Sequence, residues 1–367
     1  MKLNKFFIVF GLMFMILFGF FIYKYFFSNS GDINEGKIKI GFMAPFNGDS
    51  SSTGFSALKG AQLAKKMLGA DNIEIVVVDS GCDKNKSPSV VQDLVNKNVV
   101  AVIGEICSGA SLAALPLANE NKVVLISPGS TSPNLSIKND YFFRVVSPDN
   151  LQGEFAAQIM YEKGFRKLAI IHSNEEYGNS FKTVLSNSFK KLGGSIAEII
   201  SFETDSIKLE DEITKIKNTN PDVVYIISNS VSSSGAILKL FRKSNEKLPL
   251  YGSEALNDQT IFRDAGGASE GVIITAVSTG NKTFKQSFKG EFGIDPGLYS
   301  PQAYDAFEVI SRAIKSGAQN GEEIKEFISG IDFMGQSGQI KFDSFGEVAP
   351  NYELLIVKNG KAIPLDQ

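Results

Sequence analysis

Histidine is almost missing from this chain: His172 is the only one in 367 residues. That excludes histidine-rich metal sites and leaves any Ser/His/Asp arrangement dependent on one side chain. His172 follows Lys167-Leu168-Ala169-Ile170-Ile171, so it reads as a strand-end residue. Basic runs are missing too, and the formal net charge is -3. A nucleic-acid partner would call for a basic patch, so that class is excluded. No G-x-G-x-x-G lies at a strand-to-helix turn and no G-x-x-x-x-G-K-[ST] occurs, which removes the nucleotide sites. With no paired-carboxylate constellation and no cofactor motif, an enzyme is not expected, nor a cofactor or a metal. Cysteine is scarce: Cys82 and Cys107 are the whole set. They are not spaced as a metal or redox pair. They are either two buried free thiols or one structural disulfide, and the second needs an oxidising compartment.

What is present begins with an apolar stretch. Lys2 and Lys5 precede an uncharged run from Phe6 to Tyr23, and Lys24 follows. As a helix this run spans about 27 Å, close to the thickness of a bilayer core. Positive charge before it places the rest of the chain outside the membrane. Tyr23-Lys24-Tyr25-Phe26-Phe27 offers no small-residue cleavage site, although Ser28-Asn29-Ser30-Gly31 permits an atypical cut. Residues 1–30 are therefore expected to be a transmembrane signal-anchor, or else a signal peptide that releases the protein to the periplasm. Export favours the disulfide, whose loop closure is worth about 3.5 kcal/mol in the chain-entropy model.

After a polar linker at 31–36, strand-like and helix-like patterns alternate. Strands are expected at Ile38–Met43, Ile73–Val78, Val99–Ile103 and Val123–Ile126, with helices at Gly54–Leu68, Ser87–Asn96 (Ser87 as N-cap) and Ser108–Glu120. The rhythm restarts with helices at Gln152–Lys163, Asn179–Leu192, Leu209–Asn218 and Gly235–Ser244 and strands at Leu168–His172, Ser195–Phe202 and Asp222–Ile227. Strands this apolar are buried on both faces, as in parallel sheets. The pattern is α/β: two doubly wound, Rossmann-like lobes. In such sheets ligands sit beyond the carboxyl ends of the strands, where this chain places Ser, Thr, Gly and Asn.

Those loops resemble the periplasmic leucine/isoleucine/valine-binding family, the type I periplasmic binding proteins of ABC importers. The stretches that carry the resemblance are Cys82-Asp83, Val99–Gly104, Cys107-Ser108-Gly109-Ala110, Ile126–Pro133, Tyr141–Arg144, Tyr177-Gly178, Asn220–Tyr225 and Glu270-Gly271-Val272. The resemblance runs from about Ile38 to about Val357. It implies a three-strand hinge, with lobe one at 37–148 plus 278–343 and lobe two at 149–277 plus 344–367. Crossings are expected at Val146–Asn150, Ala276–Gly280 and about Gln336–Phe345. It also implies a Cys82–Cys107 disulfide.

The resemblance further implies a ligand set. Ser108 and Thr131 would hold an α-carboxylate, which a helix N-terminus suits. The Gly129 carbonyl and Glu254 would hold the α-ammonium, and Tyr177 would close from the second lobe. Each has a plainer reading: Ser108 as a cap, Gly129 and Thr131 as turn residues, Tyr177 as a packed ring, Glu254 as a solvated loop acid. Around the side-chain pocket, Thr53 and Asn229 stand where the family has bulky aromatics, while Tyr299 keeps aromatic character. The pocket is thus roomier or more polar than a leucine pocket. The function expected is an extracytoplasmic binding protein delivering an amino acid to an ABC permease. A sensor of an amino acid, amide or carboxylate acting through a partner is the alternative.

Overall fold

The computed structural model describes residues 37–243 and 247–365. The expected membrane helix at 6–23 lies outside the described residues. Among those residues, no helix is long and apolar enough to cross a membrane.

Two sheets organise the chain from Ile38 onward. The first is built from β1 (Ile38–Ala44), β2 (Ile73–Asp79), β3 (Ala101–Ile103), β4 (Val124–Ser127) and β5 (Phe142–Arg144). Its order is β2-β1-β3-β4-β5, with every pairing parallel. Helices α1 (Ser51–Met67), α2 (Ser87–Asn96) and α3 (Ser108–Glu120) connect these strands. The second sheet follows α4 (Asp149–Glu162). Its parallel part is β6 (Lys167–Ser173), β7 (Ser195–Phe202), β8 (Val223–Ile227), β9 (Leu250–Gly252) and β10 (Ile273–Val277), alternating with α5 (Glu176–Lys191), α6 (Glu210–Asn218), α7 (Val231–Lys243) and α8 (Gln259–Ala265). The later elements are α9 (Lys282–Phe292), α10 (Ser300–Lys315), α11 (Gly321–Ser329), the hairpin β11 (Asp332–Met334) and β12 (Gln339–Lys341), and β13 (Tyr352–Lys358) and β14 (Lys361–Pro364). The last two strands extend the second sheet antiparallel beside β10.

Period-two burial explains why these strands sit where they do. Ala101 and Ile103 enter the core on one face of the first sheet, and Val102 enters the core on the other. In the second sheet, Ala169 and Ile171 face one core, Leu168 and Ile170 the other. Both faces of each sheet are covered, as an all-parallel ladder requires. His172 is a buried member of β6, its Nδ1 beside the Ser173 carbonyl at 3.0 Å. Burial lowers its pKa, so it is a neutral packing residue at pH 7.

The strand orders have a direct consequence for function. In the first sheet, connections run outward in opposite directions from β1 and β3. In the second, they do so from β6 and β8. Each such point opens a crevice beyond the strand ends. The loops that border the two crevices are those after β1 and β3 and those after β6 and β8, and they meet in one cleft.

The chain passes between the sheets three times: after β5, after β10, and between β12 and β13. The third passage lies later than the sequence reading placed it, because Phe342 and Val348 still pack in the first core. Four helices also begin earlier than periodicity indicates: α1 at Ser51, α4 at Asp149, α5 at Glu176 and α7 at Val231. Their opening turns are mostly polar, so they carry no continuous apolar stripe. In α2, Ser87 is the first helical residue and Lys86 occupies the cap position, so Ser87 is not the N-cap. The Ser87 hydroxyl donates back to the Asp83 carbonyl at 2.9 Å.

Candidate functional site

The cleft holds about 500 Å³ of atom-free space, part of it continuous with solvent. Its lining comes from both sheets. Ser50, Thr53, Ile106, Cys107, Ser108, Gly129, Leu298 and Tyr299 come from elements of the first; Tyr177, Asn229, Val231, Ala255 and Asp258 come from the second.

One end presents the start of a helix. Ser108 opens α3, directly after Cys107 in extended conformation. The first amides of a helix have no carbonyl of their own helix to bond, and they carry the positive end of its dipole. The Ser108 hydroxyl accepts from the backbone N–H of Thr131 at 3.2 Å and of Ser132 at 3.1 Å. That ties the loop after β4 to the start of α3. The same loop is pinned from within, since Ser127 Oγ accepts from the N–H of Gly129 and of Ser130. It is pinned from behind by the fully buried Arg144, which donates to the carbonyls of Ser130 and Ser132 and pairs with Glu347. A side chain at Gly129 would strike Tyr299 Cε2 at 2.8 Å, so only glycine lets the tyrosine ring lie against this loop.

Behind the cleft wall lies a buried acidic cluster. Glu254 lies on the short turn Glu254–Leu256 after β9 and is fully buried. It is therefore not the solvated loop acid of the plainer reading. Gln152 Nε2 donates to its Oε2 at 2.7 Å and the Tyr299 hydroxyl donates to its Oε1 at 3.2 Å. A second carboxylate, Asp149, is also fully buried, and neither of its oxygens has a hydrogen-bond partner among the described residues. The Thr131 hydroxyl favours the ionised form of Asp149 from nearby without closing a hydrogen bond. The cation that does so, Arg144, is committed to Glu347. Burial, and repulsion from Glu254, hold the Asp149 carboxyl well above the usual range. Burial likewise raises Glu254.

Buried polar atoms are nearly always paired in folded proteins. Here Thr131 Oγ1, both Asp149 oxygens, Gln152 Oε1, the Tyr177 hydroxyl, Asn229 Oδ1 and Ser253 Oγ are all buried and unpaired. Most of them cluster around Glu254.

The eight residues singled out in the sequence divide into two groups. Thr53, Ser108, Gly129, Tyr177, Asn229 and Tyr299 line the cleft. Thr131 and Glu254 are not in the lining; both are fully buried behind it. Glu254 reaches the lining through the Tyr299 hydroxyl, and Thr131 through its N–H to Ser108. Tyr299 has φ of 60°, the left-handed region that a bulky side chain rarely adopts, at the cap of α10. Sequence reasoning missed Asp149 and Gln152. They stand three residues apart, on one face of the first turn of α4, immediately after the chain leaves the first sheet.

Hydrogen bonds draw the two sides of the cleft together. Ser50 Oγ donates to the Asn229 carbonyl at 3.1 Å and Ser52 Oγ to Asp258 Oδ2 at 2.6 Å. Asp49 accepts from Ser230 Oγ at 2.6 Å and from the Ser232 N–H at 3.0 Å. Glu176 accepts from Ser132 Oγ and Asn134 Nδ2. Nearby, the structure pairs Cys82 with Cys107, their Cα atoms 5.4 Å apart.

Comparison with known proteins adds to this geometry. Residues 57–360 match the receptor family ligand binding region. The leucine-, isoleucine-, valine-, threonine- and alanine-binding protein of Pseudomonas aeruginosa is 26% identical over 325 residues, 85% of this chain and 87% of that one. A leucine binding protein from Thermotoga maritima superposes with a TM-score of 0.84 at 26% identity, covering 90% of this chain and 98% of that chain. A branched-chain amino acid transporter substrate binding protein from Streptococcus pneumoniae, solved with isoleucine, does so with 0.82 at 26% identity, covering 89% and 97%.

Proposed function

Because the chain belongs to the receptor family of ligand binding regions, a family of binding proteins rather than enzymes, we propose that it is the extracytoplasmic substrate-binding protein of an ABC importer and that its ligand is an amino acid. One observation carries the reading. Ser108, at the start of α3, lines the cleft, and two buried carboxylates, Asp149 and Glu254, stand behind its wall amid unpaired polar atoms, with Glu254 bonded to the lining residue Tyr299. A zwitterion answers both ends. A ligand with a carboxylate alone would leave the two buried acids facing it uncompensated.

The roles follow from position. Ser108 and the Thr131 segment take the carboxylate. The Gly129 carbonyl, Glu254 and Asp149 take the ammonium, with Tyr299 orienting Glu254. Tyr177, which has a buried and unpaired hydroxyl, closes from the far side. Thr53, Asn229 and Tyr299 border the ligand's side chain. Two lobes are read as 37–148 plus 278–348, and 149–277 plus 349–367. They hinge at three passages and close over the ligand. Export, with or without retention by an anchor at 6–23, places Cys82 and Cys107 where a disulfide persists. The names of the relatives support an amino acid ligand and delivery to a permease. Signalling through a partner is the second use of the same closure.

A thermal-shift screen of the purified chain against the twenty amino acids, and matched amides and carboxylates, tests this. A ligand that binds only the folded state raises the melting temperature by mass action. A rise with one or a few amino acids is expected. A rise with a carboxylic acid and with no amino acid would remove the zwitterion reading.

A further inference from the structure

The far end of the cleft is unlike its walls. Ile106, Val231 and Leu298 line it with carbon, yet Asn229 brings an amide whose Oδ1 is buried with no hydrogen-bond partner among the described residues. The carboxylates beside it already accept hydrogen bonds within the protein. Asp49 accepts from Ser230 Oγ and the Ser232 N–H. Asp258 accepts from Ser52 Oγ at 2.6 Å and from the Thr260 N–H at 2.6 Å. The buried atom left without a hydrogen bond at this end therefore belongs to a neutral amide.

Resting on the amino-acid reading above, we propose that the ligand's side chain is short and bears a neutral hydroxyl or amide, and that Asn229 is the residue that reads it. Two further features support this. Asn229 is held in place: its carbonyl accepts from Ser50 Oγ across the cleft, and the next residue, Ser230, accepts the Ser233 N–H at the start of α7. Its amide is thus presented by a fixed backbone, and a fixed polar group discriminates better than a mobile one. The Ser50–Asn229 bond also forms a seam. Beyond it lies a larger groove whose acids include Asp49, Glu175, Glu176 and Asp205. A long cationic side chain would have to break the seam to reach those acids, or displace Ser52 Oγ or the Thr260 N–H from Asp258, and an anionic one would meet Asp49 and Asp258. An apolar side chain would leave the amide dehydrated and unpaired. A hydroxyl satisfies the amide whichever way its oxygen and nitrogen are turned, since it both donates and accepts.

Threonine and valine differ by a hydroxyl in place of a methyl, so their ratio isolates the effect. A site built to bond a hydroxyl rejects the analogue that lacks it, whereas an apolar site scarcely separates the two. Isothermal titration of the full-length chain is expected to show threonine bound at least about tenfold tighter than valine. In Asn229→Leu and Asn229→Ala the ratio falls to near one or below, with melting temperatures confirming that the variants fold. Valine binding as tightly as threonine in the unaltered chain, a lysine or glutamate preference, or a threonine preference that survives both substitutions would overturn the inference and leave the amino-acid reading standing. Failure of every amino acid to bind would overturn both.

Discussion

Glu254 and Asp149 are buried side by side, and burial holds both carboxyls above their ordinary range. An ammonium needs them ionised. Binding therefore releases a proton in the pH range where the free site still holds one. Affinity for a zwitterion is expected to fall as pH is lowered from 8 to 5. Titrations in buffers of different ionisation enthalpy should report proton release at the lower pH. A pH-independent affinity with no buffer effect would contradict this. Glu105 poses a related problem away from the ligand. It is fully buried, its pKa pushed up to about 7 chiefly by desolvation. Its Oε1 accepts from the N–H of Ile106 and of Cys107, while Oε2 is unpaired. A folded-state pKa above the unfolded value contributes stability that is present at low pH and lost as pH rises through about 7. Glu105→Gln keeps the acceptor and removes the charge. It should be more stable than the unaltered chain at pH 8 by about 3 kcal/mol and nearly equal at pH 4, measured by denaturant unfolding.

At the scale of elements, the helix starts matter most. The N-terminus of α7 is capped from across the cleft: Asp49, in the loop after β1, accepts the Ser232 N–H and the Ser230 hydroxyl. Such a cap exists only while the two sides are together, so it stabilises the closed form. Asp49→Ala should weaken ligand binding by about 1 kcal/mol, chiefly through faster release, with little change in the folding of either sheet. Stopped-flow displacement measures this directly, and an unchanged release rate would exclude the cap as a clasp. The same helix starts mark where the sequence was hardest to read. Apolar alternation located β1–β4 and β6–β8 to within a residue or two, as at Ser195–Phe202, and the bodies of α1–α7, whereas β5, β9–β14 and α8–α11 were not read from the sequence. The opening turns Ser51–Thr53, Asp149–Leu151, Glu176–Gly178 and Val231–Ser234 were not seen, because they are mostly polar and carry no continuous apolar stripe. Those turns bear Thr53, Asp149 and the approach to Asn229. Ser108 was legible because a small hydroxyl followed a strand and opened an apolar helix. Asp149 was not, because only the fold brings the passage after β5 against the turn that holds Glu254.

At the scale of the molecule, two sheets of the same parallel order turn their strand reversals towards one cleft, and three passages of chain join them. Closure is then a matter of a few bonds across the gap: those of Asp49, Ser50, Ser52 and Glu176. The alternation of strand and helix was enough to foresee two such layers. The place of the third passage was not foreseen, since Phe342 and Val348 belong to the first core through contacts that no local pattern announces. The account as a whole stands on recognition of a zwitterion by opposed charges in that cleft. The most direct measurement is titration of the full-length chain with its best amino acid and with the matching carboxylic acid that lacks the ammonium, repeated in Glu254→Gln. The unaltered chain should prefer the amino acid by at least about a hundredfold, and the substitution should remove most of that preference, since it takes from a buried ammonium one of its two carboxylate partners. Equal binding of the two ligands, or a preference untouched by Glu254→Gln, would contradict it.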